Sequence, residues 1–531
     1  MTEAVQLRMR DGVRLATDVY VPAGAGRFPV VLSRGPYGRR EPVTCQAAIA
    51  AVLVDAGYAV VMQDTRGKYG SEGVARPFAP TEVADAAETL DWIAAQPWSA
   101  DAVVMIGDSY YGWLQWAAAA TGHRLLRGIV PGMTSTRVAD DWMYHNNAFC
   151  LATMGEWAVA AWTKDTNNFR DLDWAGRPLG ELVASWTAGT GGAEAFSAWR
   201  DHSPGDAFWR GEPFATVGPD RAGVAALHLG GWWDTFRAGQ LRDWRAASRG
   251  ASMPQHLAMG GLDHHYVELR EDPWSVAPAE DEHDFATRYV AMILPFLELV
   301  TGQDSDVGIP TVRYEVAYGD EHIAPTWPPP GLGRATLHLV DGGRALLDAH
   351  GGGLSRRAER LPRRVRWTHD PARLVPSGEH DAFAMLVQPA DEALVQARDD
   401  VLTFSTPPLE RPLELVGASR VHLRTHDAGP GHQFVAKLSD VFLDGRALRI
   451  TEGVRTVAAG APDDEVLVPL LSCAYRVRAG HSLRLEIAAS HFPRYLPGAP
   501  EDAWRDLGVA LPYSITVGGA DGSRLELSVG P

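Results

Sequence analysis

Apolar and polar residues alternate in two short runs at the start of the chain, at positions 5–9 and 13–20. The two runs are separated by Asp11-Gly12. An Asp-Gly pair between alternating runs is the strongest short-range signal for a β-hairpin. The chain is therefore predicted to open with two antiparallel strands.

Continuous apolar runs follow, separated by stretches with helical spacing. The apolar runs lie at 29–32, 59–62, 102–106, 129–131, 224–229 and 256–259. The helical stretches lie at 47–56, 83–95, 114–120 and 285–299. Strands that are apolar throughout are buried on both faces, which is typical of a parallel sheet covered by helices. This pattern predicts an α/β domain.

The alternation of strands and helices stops between residues 134 and 217, where tryptophan becomes frequent. Seven of the 18 tryptophans lie in this segment: Trp142, Trp157, Trp162, Trp174, Trp186, Trp199 and Trp209. We interpret it as a helical cap inserted into the α/β domain. Most of these rings are expected to form core, and two or three are expected to line an apolar acyl pocket.

Short β-type runs dominate from about residue 308, with turns such as Asp444-Gly445 and Asp521-Gly522 between them. Such spacing is typical of an all-β sandwich or jelly roll. The predicted organisation is an α/β domain in two parts, 1–133 and 218–307, a cap at 134–217 and a β domain at 308–531.

Composition narrows the function classes. The chain has 531 residues, 49 basic and 66 acidic, with a formal charge of −17. This charge would repel phosphate backbones and anionic membrane surfaces, so neither nucleic acid nor membrane is an expected partner. Three widely spaced cysteines indicate neither a disulfide framework nor a CxxC metal site. No signal-peptide pattern or long apolar run occurs, so we expect a cytoplasmic protein.

The segment MIGDSYYGW, residues 105–113, contains the strongest candidate for chemistry. It follows an apolar run and precedes a helical one, which makes Ser109 a candidate nucleophile on a strained strand-to-helix turn. The general hydrolase pattern GxSxG fails, because Tyr111 occupies the last glycine position and Gly112 comes one residue later. An ordinary turn serine is the competing interpretation.

A serine nucleophile needs a histidine to accept its proton and an acid to orient that histidine. Asp234 follows the apolar run at 224–229, and His264 follows the next one, in the order Ser, Asp, His of α/β hydrolases. Three alternatives stay open: Asp234 as a helix N-cap, His265 or Asp263 in place of His264, and the Asp-His-His triplet as metal ligands.

Motifs along nearly the whole chain resemble the cocaine-esterase-like serine hydrolases, a family grouped with Xaa-Pro dipeptidyl peptidases and α-amino acid ester hydrolases. They are RMRDGVRLATDVYVP, SRGPYG, QDTRGKYGSEG, DAAETLDWIAAQPWS, GGWWDTF, FVAKLSDVFLDGRA and SHFPRYLPG. In this family the elbow reads GxSYxG, which Gly107, Ser109, Tyr110 and Gly112 match. The resemblance implies an α/β-hydrolase fold with an inserted helical cap and a C-terminal jelly roll.

The resemblance also implies roles for further residues. The oxyanion hole would consist of the Tyr110 backbone N–H and the Tyr37 hydroxyl. Phe236 resembles the aromatic residue that esterases place against the acyl group. Asp64 and Arg66 would form a buried charge pair that braces loops below the site.

Two departures from the family pattern bear on the substrate. Family members commonly read GPWxH at the histidine loop, whereas this chain has Gly-Gly-Leu-Asp before His264. The α-amino ester hydrolases bind a substrate amine with carboxylates from the cap and from the residues after the catalytic aspartate. This chain keeps Asp140 and Asp141 but has Thr-Phe-Arg after Asp234, so simple α-amino acid esters are disfavoured.

The predicted function is hydrolysis of an ester with a bulky or aromatic acyl group, through a covalent acyl-enzyme on Ser109. Small amides or peptides come second, and no metal or cofactor is expected. The predicted substrate-binding residues are Asp141, Trp142, Trp157, Trp162 and Phe236. Alternatives are an aminopeptidase or acyltransferase with the same triad, and an inactive scaffold that acts as a binding protein. A homodimer is one open alternative for the assembly, and Asp108 has no assigned role.

Overall fold

The computed structural model describes most of the chain, and every structural statement below concerns these residues. They are 2–165, 174, 181, 185, 189, 191–211, 214–215, 217–221, 223–276, 278–304, 306, 308–347, 350–378, 383–426, 428–458, 464–498 and 510–530. Trp186, one of the cap tryptophans, lies outside them.

A ten-stranded sheet forms the first half of the molecule. Its strands are β1 (Thr2–Arg8), β2 (Arg14–Tyr20), β3 (Phe28–Gly35), β4 (Ala59–Asp64), β5 (Ser99–Asp108), β6 (Leu126–Gly132), β9 (Ala225–Gly231), β10 (Gln255–Gly260), β11 (Val312–Glu315) and β12 (Glu321–Ala324). The spatial order is β1-β2-β4-β3-β5-β6-β9-β10-β11-β12. All pairs from β4 to β11 are parallel, and β1 and β2 form the predicted antiparallel hairpin.

Helices cover both faces of this sheet. They are α1 (Gln46–Asp55), α2 (Pro80–Ala94), α3 (Tyr110–Ala119), α6 (Arg237–Ser248) and α7 (Glu282–Thr301). The apolar side chains of α1 and α7 pack on one face, and those of α2, α3 and α6 pack on the other. The central strands are therefore buried on both sides, which is why their sequences are apolar throughout.

The cap between β6 and β9 begins with a π-helical turn at Val138–Met143 and a small hairpin, β7 (Tyr144–His145) with β8 (Ala148–Phe149). Helices α4 (Leu151–Trp162) and α5 (Gly192–Asp201) follow. Ten of the twelve residues of α4 are buried, because this helix packs against α3 and the C-terminal half as well as against the rest of the cap.

The C-terminal half is built around a second sheet of eleven strands, with a two-stranded pair beside it. The strands are β13 (Gly333–Val340), β14 (Gly352–Ser355), β15 (Arg363–His369), β16 (Leu402–Ser405), β17 (Leu413–Gly417), β18 (Arg420–Arg424), β19 (Gln433–Val441), β20 (Ala447–Thr456), β21 (Glu465–Pro469), β22 (Cys473–Val477), β23 (Ser482–Ala488), β24 (Leu511–Val517) and β25 (Arg524–Val529). A short helix, α8 (Glu392–Gln396), lies between β15 and β16.

Two expectations about this architecture need correction. Residues from 308 onward were assigned to the β domain, but β11 and β12 extend the first sheet, because β11 pairs in parallel with β10. Asp64 and Arg66 do not pair with each other. Asp64 ends β4 and binds Arg39, whereas Arg66, in the turn that follows, donates a hydrogen bond to Asp85 of α2 at 2.6 Å.

No helix in the described part of the chain is long and apolar enough to cross a membrane.

Candidate active site

Ser109 lies at the sharp turn between β5 and α3. Its backbone adopts φ 59° and ψ −123°, a conformation that non-glycine residues rarely take. Gly107 has φ 126°, and a Cβ there would lie 2.6 Å from the Cβ of Tyr111. The Ser109 N–H donates to the carbonyl of Gly132 at 2.9 Å. The turn is thus held by the neighbouring strand β6 and presents the serine hydroxyl at the carboxyl edge of the sheet.

Packing explains why the second glycine of the elbow is Gly112 and not residue 111. A Cβ on Gly112 would lie 2.6 Å from the Cγ2 atom of Thr134, so the helix can pass β6 only without a side chain there. The Tyr111 ring instead fills the space over Gly35, where an added Cβ would lie 1.9 Å from the ring. The spacing of the elbow follows from these two close approaches.

Asp234 and His264 meet at the same edge of the sheet. The Nδ1 atom of His264 lies 2.7 Å from Oδ1 of the fully buried Asp234. The backbone N–H of Phe236 donates to the other carboxylate oxygen at 3.1 Å, which fixes the carboxylate. Burial lowers the pKa of His264, but the hydrogen bond that its ring donates to Asp234 and the charges of nearby carboxylates outweigh burial, so the pKa is raised.

Asp263 shapes the loop that carries the histidine. Its Oδ1 accepts the backbone N–H groups of His265 and Val267, both at 3.0 Å, and its Oδ2 accepts that of Leu386 at 2.9 Å. The Asp-His-His triplet therefore does not converge as a ligand set. In the described ranges no group of three or more His, Cys, Asp or Glu side chains is arranged to hold a metal ion.

Tyr37 lies beside the elbow, as the family resemblance implies. Its hydroxyl is hydrogen-bonded to the side chain of Ser109 and to the backbone N–H of Tyr110. The indole Nε1–H of Trp157 also donates to this hydroxyl, at 2.9 Å. Burial raises the pKa of Tyr37, so the phenol stays protonated and can donate a hydrogen bond.

A cavity of about 540 Å³ opens at Ser109 and His264. The beginning of α1, the beginning of α7, the elbow and the histidine loop form its walls. Four carboxylates line it, those of Asp108, Glu280, Asp281 and Glu282. The described lining includes no lysine or arginine. The remaining wall is mostly apolar and aromatic, and it includes Tyr37, Tyr111 and Phe383.

Trp142, Trp157 and Trp162 do not line this cavity, contrary to the expectation from sequence. Trp142 and Trp157 are each 1% exposed and pack with Phe78 and Tyr110 in one aromatic cluster. Trp162 is half-buried and contacts Trp157 and Trp199. These rings bury one another, so they form core, and Trp157 reaches the site through its N–H to Tyr37.

Phe236 and Asp141 also differ from the expected substrate contacts. Phe236 is 1% exposed, with its ring centroid 4.4 Å from that of Trp142 and 5.5 Å from that of His264. It packs against the histidine and does not line the cavity. The Asp141 carboxylate accepts from Ser135 at 2.7 Å and from Arg242 at 2.5 Å, so it is already neutralised. It does not line the cavity either.

The C-terminal half contributes to the site in ways that sequence reasoning missed. The Phe383 ring centroid lies 4.8 Å from that of His264, and no pattern near residue 383 predicts this contact. Around the acid, Trp233 Nε1–H donates to the Arg449 carbonyl at 3.0 Å and Arg237 donates to Thr451 Oγ1 at 3.1 Å. Arg237 therefore anchors the aspartate loop to β20.

The parallel sheet, the cap and the elbow place the chain in the class of α/β hydrolases. A model of the X-Pro dipeptidyl-peptidase (S15) family matches residues 11–266, and a model of the X-Pro dipeptidyl-peptidase C-terminal non-catalytic domain matches residues 307–507. The cocaine esterase of Rhodococcus sp. strain MB1 Bresler is 30% identical, over 92% of this chain and 91% of that protein. The chain belongs to the cocaine-esterase-like hydrolase family, which confirms the resemblance in the sequence motifs.

Two solved structures share the fold. An aminopeptidase from a marine sediment archaeon, Thaumarchaeota archaeon, has a TM-score of 0.80 at 21% identity, covering 100% of this chain and 96% of that one. An α-amino acid ester hydrolase has a TM-score of 0.78 at 23% identity, with the same coverage of 100% and 96%. The predicted fold class is confirmed, and family membership identifies a hydrolase of the esterase and peptidase class.

Proposed function

We propose that this protein hydrolyses carboxylic esters with Ser109 as the nucleophile, His264 as the general base and acid, and Asp234 as the residue that orients the histidine. The observation that carries the proposal is the 2.7 Å contact between His264 and Asp234 in a cavity that His264 shares with the strained elbow serine. Nδ1 of the histidine is engaged by the aspartate, which leaves Nε2 as the atom to accept the serine proton.

In the proposed reaction, Ser109 Oγ attacks the carbonyl carbon while its proton moves to His264 Nε2. The carbonyl oxygen takes up the electron pair and becomes the oxyanion of a tetrahedral intermediate. The bond to the alkoxy group then breaks, and His264 returns the proton to the leaving alcohol. Water repeats these steps on the acyl-enzyme and releases the carboxylic acid.

The Tyr37 hydroxyl and the Tyr110 N–H are the proposed donors to the oxyanion. Both lie beside the nucleophile, because the Tyr37 hydroxyl is hydrogen-bonded to the Ser109 side chain and to the Tyr110 N–H in the free protein. A substrate oxygen at that point would accept from both donors. The Nε1–H of Trp157, at 2.9 Å, would hold the Tyr37 oxygen in place while its hydrogen turns to the substrate.

The cavity supports a restricted class of acyl group. Its volume of about 540 Å³ suffices for an aromatic or branched acyl group, and most of its wall is apolar. Glu280 is paired with Arg288 at 2.7 Å. The other three carboxylates of the cavity would repel a substrate that carries its own carboxylate. The relative with 30% identity is named as an esterase, which favours an ester over a peptide bond. We therefore propose neutral or cationic esters as substrates.

The acyl-enzyme makes the proposal testable with methanol as a competing nucleophile. Phenyl and p-nitrophenyl esters of one aromatic acid should give the same ratio of methyl ester to free acid, because both products come from one common acyl-Ser109. Product analysis by chromatography measures the ratio. A ratio that changes with the leaving group would exclude the common intermediate. Xaa-Pro anilides serve as the peptidase comparison and should react more slowly.

Tyr37→Phe should lower kcat by about 10²- to 10³-fold with little change in KM, because it removes one oxyanion donor and keeps the ring. Steady-state kinetics with a p-nitrophenyl ester measures this. Tyr513→Phe is the matched control, since the buried Tyr513 hydroxyl also accepts a backbone N–H, from Gln433 at 2.9 Å, in the C-terminal half. Equal losses in the two variants would contradict the role of Tyr37.

A further inference from the structure

Asp108 directly precedes the nucleophile, and the proposed reaction does not use it. Its Oδ1 accepts a hydrogen bond from the hydroxyl of Tyr266. Tyr266 follows His264 by two residues, so this bond joins the elbow at the end of β5 to the loop after β10. The two catalytic segments are thus connected by a side-chain contact that involves neither the serine nor the histidine itself.

The residues around the hydrogen bond between Asp108 and Tyr266 leave room for it and hold Tyr266 in place. A Cβ on Gly132 would lie 1.8 Å from Asp108 Oδ1 and 2.9 Å from the Tyr266 hydroxyl, so only glycine leaves room for the pair at the end of β6. Tyr266 has φ 61°, an unfavourable backbone conformation for an aromatic residue. Its N–H donates to the Asp263 carbonyl at 3.1 Å, and its ring packs 5.6 Å from that of Tyr289.

We propose that Asp108 and Tyr266 are positioning residues, whose hydrogen bond fastens the histidine loop to the nucleophile elbow and sets the position of His264 relative to Ser109. The loop is otherwise anchored on its other side, where Asp263 binds the Leu386 N–H. The two anchored residues, Asp263 and Tyr266, flank His264 in sequence. This inference rests on the proposed function, because it assigns a role in the same reaction.

The charge of Asp108 adds a second effect on the histidine. Burial raises the pKa of Asp108 to about 6, while the bond from Tyr266 and the nearby His264 lower it and Asp234 raises it. Above that pH Asp108 is mainly a carboxylate. The charges of Asp234, Asp108 and Asp263 then act on His264, and the ring centroid of its neighbour His265 lies 6.1 Å away. These carboxylates raise the pKa of His264, and Asp108 supplies part of that effect.

Two variants separate the two effects. Asp108→Asn keeps an oxygen that can accept from Tyr266 and removes the charge. The pKa of His264 should then fall, so that the low-pH limb of kcat/KM, where the base becomes protonated, moves to lower pH while the plateau stays within about threefold. Tyr266→Phe keeps the charge and removes the bond, so kcat should fall about tenfold, with no shift of the limb to lower pH.

The test measures kcat, KM and the pH profile of kcat/KM on a p-nitrophenyl ester for wild type, both single variants and the double variant. In the double variant the loss of plateau kcat should match that of Tyr266→Phe alone. Tyr475→Phe is the matched control, because Tyr475 donates to the buried Asp440 at 2.8 Å in the C-terminal sheet. It removes the same kind of bond and should leave kcat unchanged.

The proposal is overturned if Tyr266→Phe retains the wild-type kcat, if Tyr475→Phe loses as much kcat as Tyr266→Phe, or if the pH profile of Asp108→Asn equals that of wild type. Failure of the proposed function has a separate signature, which is ester hydrolysis that persists in Ser109→Ala. Circular dichroism of each variant accompanies the kinetics, so that a loss of folded protein is not counted as a loss of kcat.

Discussion

Replacing Ser109 with alanine should lower kcat for p-nitrophenyl esters by about 10⁴-fold or more, the loss seen when a triad nucleophile is removed. The free energy of unfolding should change little. The substitution removes only the hydroxyl group. Alanine keeps the Cβ, so the backbone strain at φ 59° is the same as with serine. The backbone N–H that donates to Gly132 is also retained, so the elbow should keep its geometry.

Two measurements check this result. Steady-state kinetics gives the loss in kcat, and a fluorophosphonate probe should label wild type on the peptide that contains Ser109 while leaving Ser109→Ala unlabelled. Ser419→Ala is the control: its hydroxyl accepts the Ser528 N–H at 3.1 Å in the C-terminal half, and labelling should persist. Wild-type protein that resists the probe and hydrolyses no ester would refute the assignment of the nucleophile.

His264→Ala should have the second large effect, also about 10⁴-fold or more in kcat. Without the imidazole, nothing accepts the Ser109 proton, and the buried carboxylate of Asp234 loses its 2.7 Å partner. Added imidazole should restore part of the activity, because the cavity of about 540 Å³ can admit the small base. Rescue by imidazole would separate loss of the base from loss of the fold.

The neighbouring histidine provides the matched control for that experiment. His265 lies on the same loop, is exposed, and has its ring centroid 6.1 Å from that of His264. His265→Ala should therefore cost less than about tenfold in kcat, since the imidazole that is hydrogen-bonded to Asp234 is that of His264. If the larger loss fell on His265→Ala, the base would be His265 and the assignment from geometry would be wrong.

The local sequence correctly predicted features that depend on the course of the backbone, namely strands, turns and the residues at their ends. The Asp-Gly hairpin, the apolar central strands and the elbow at Ser109 all lie where the pattern predicts them. The same holds for Asp234 and His264, which follow consecutive strands of the sheet. Since parallel strands end at one edge, the order of these residues along the chain was enough to predict that they come together.

The sequence was less informative about which partner each polar or aromatic side chain finds. Asp141 was expected to face the substrate, but Arg242, far away in the chain, neutralises it. Trp142 and Trp157 were expected to line the pocket, but they pack with Phe78 and Tyr110. A local sequence pattern does not predict these pairings, because they depend on how the cap packs against the elbow and its neighbours.

By itself, the sequence determined the α/β-hydrolase fold, the family and the residues at the carboxyl edge of the sheet, because periodicity and short motifs are properties of neighbouring positions. Tertiary structure alone decided that Asp108 binds Tyr266, that Trp157 supports Tyr37, and that Phe383 packs on His264. Each of these contacts joins segments that are far apart in the sequence and meet only in the folded chain. Which side chains meet depends on the volume available between the segments and on the need of buried polar groups for a hydrogen-bond partner.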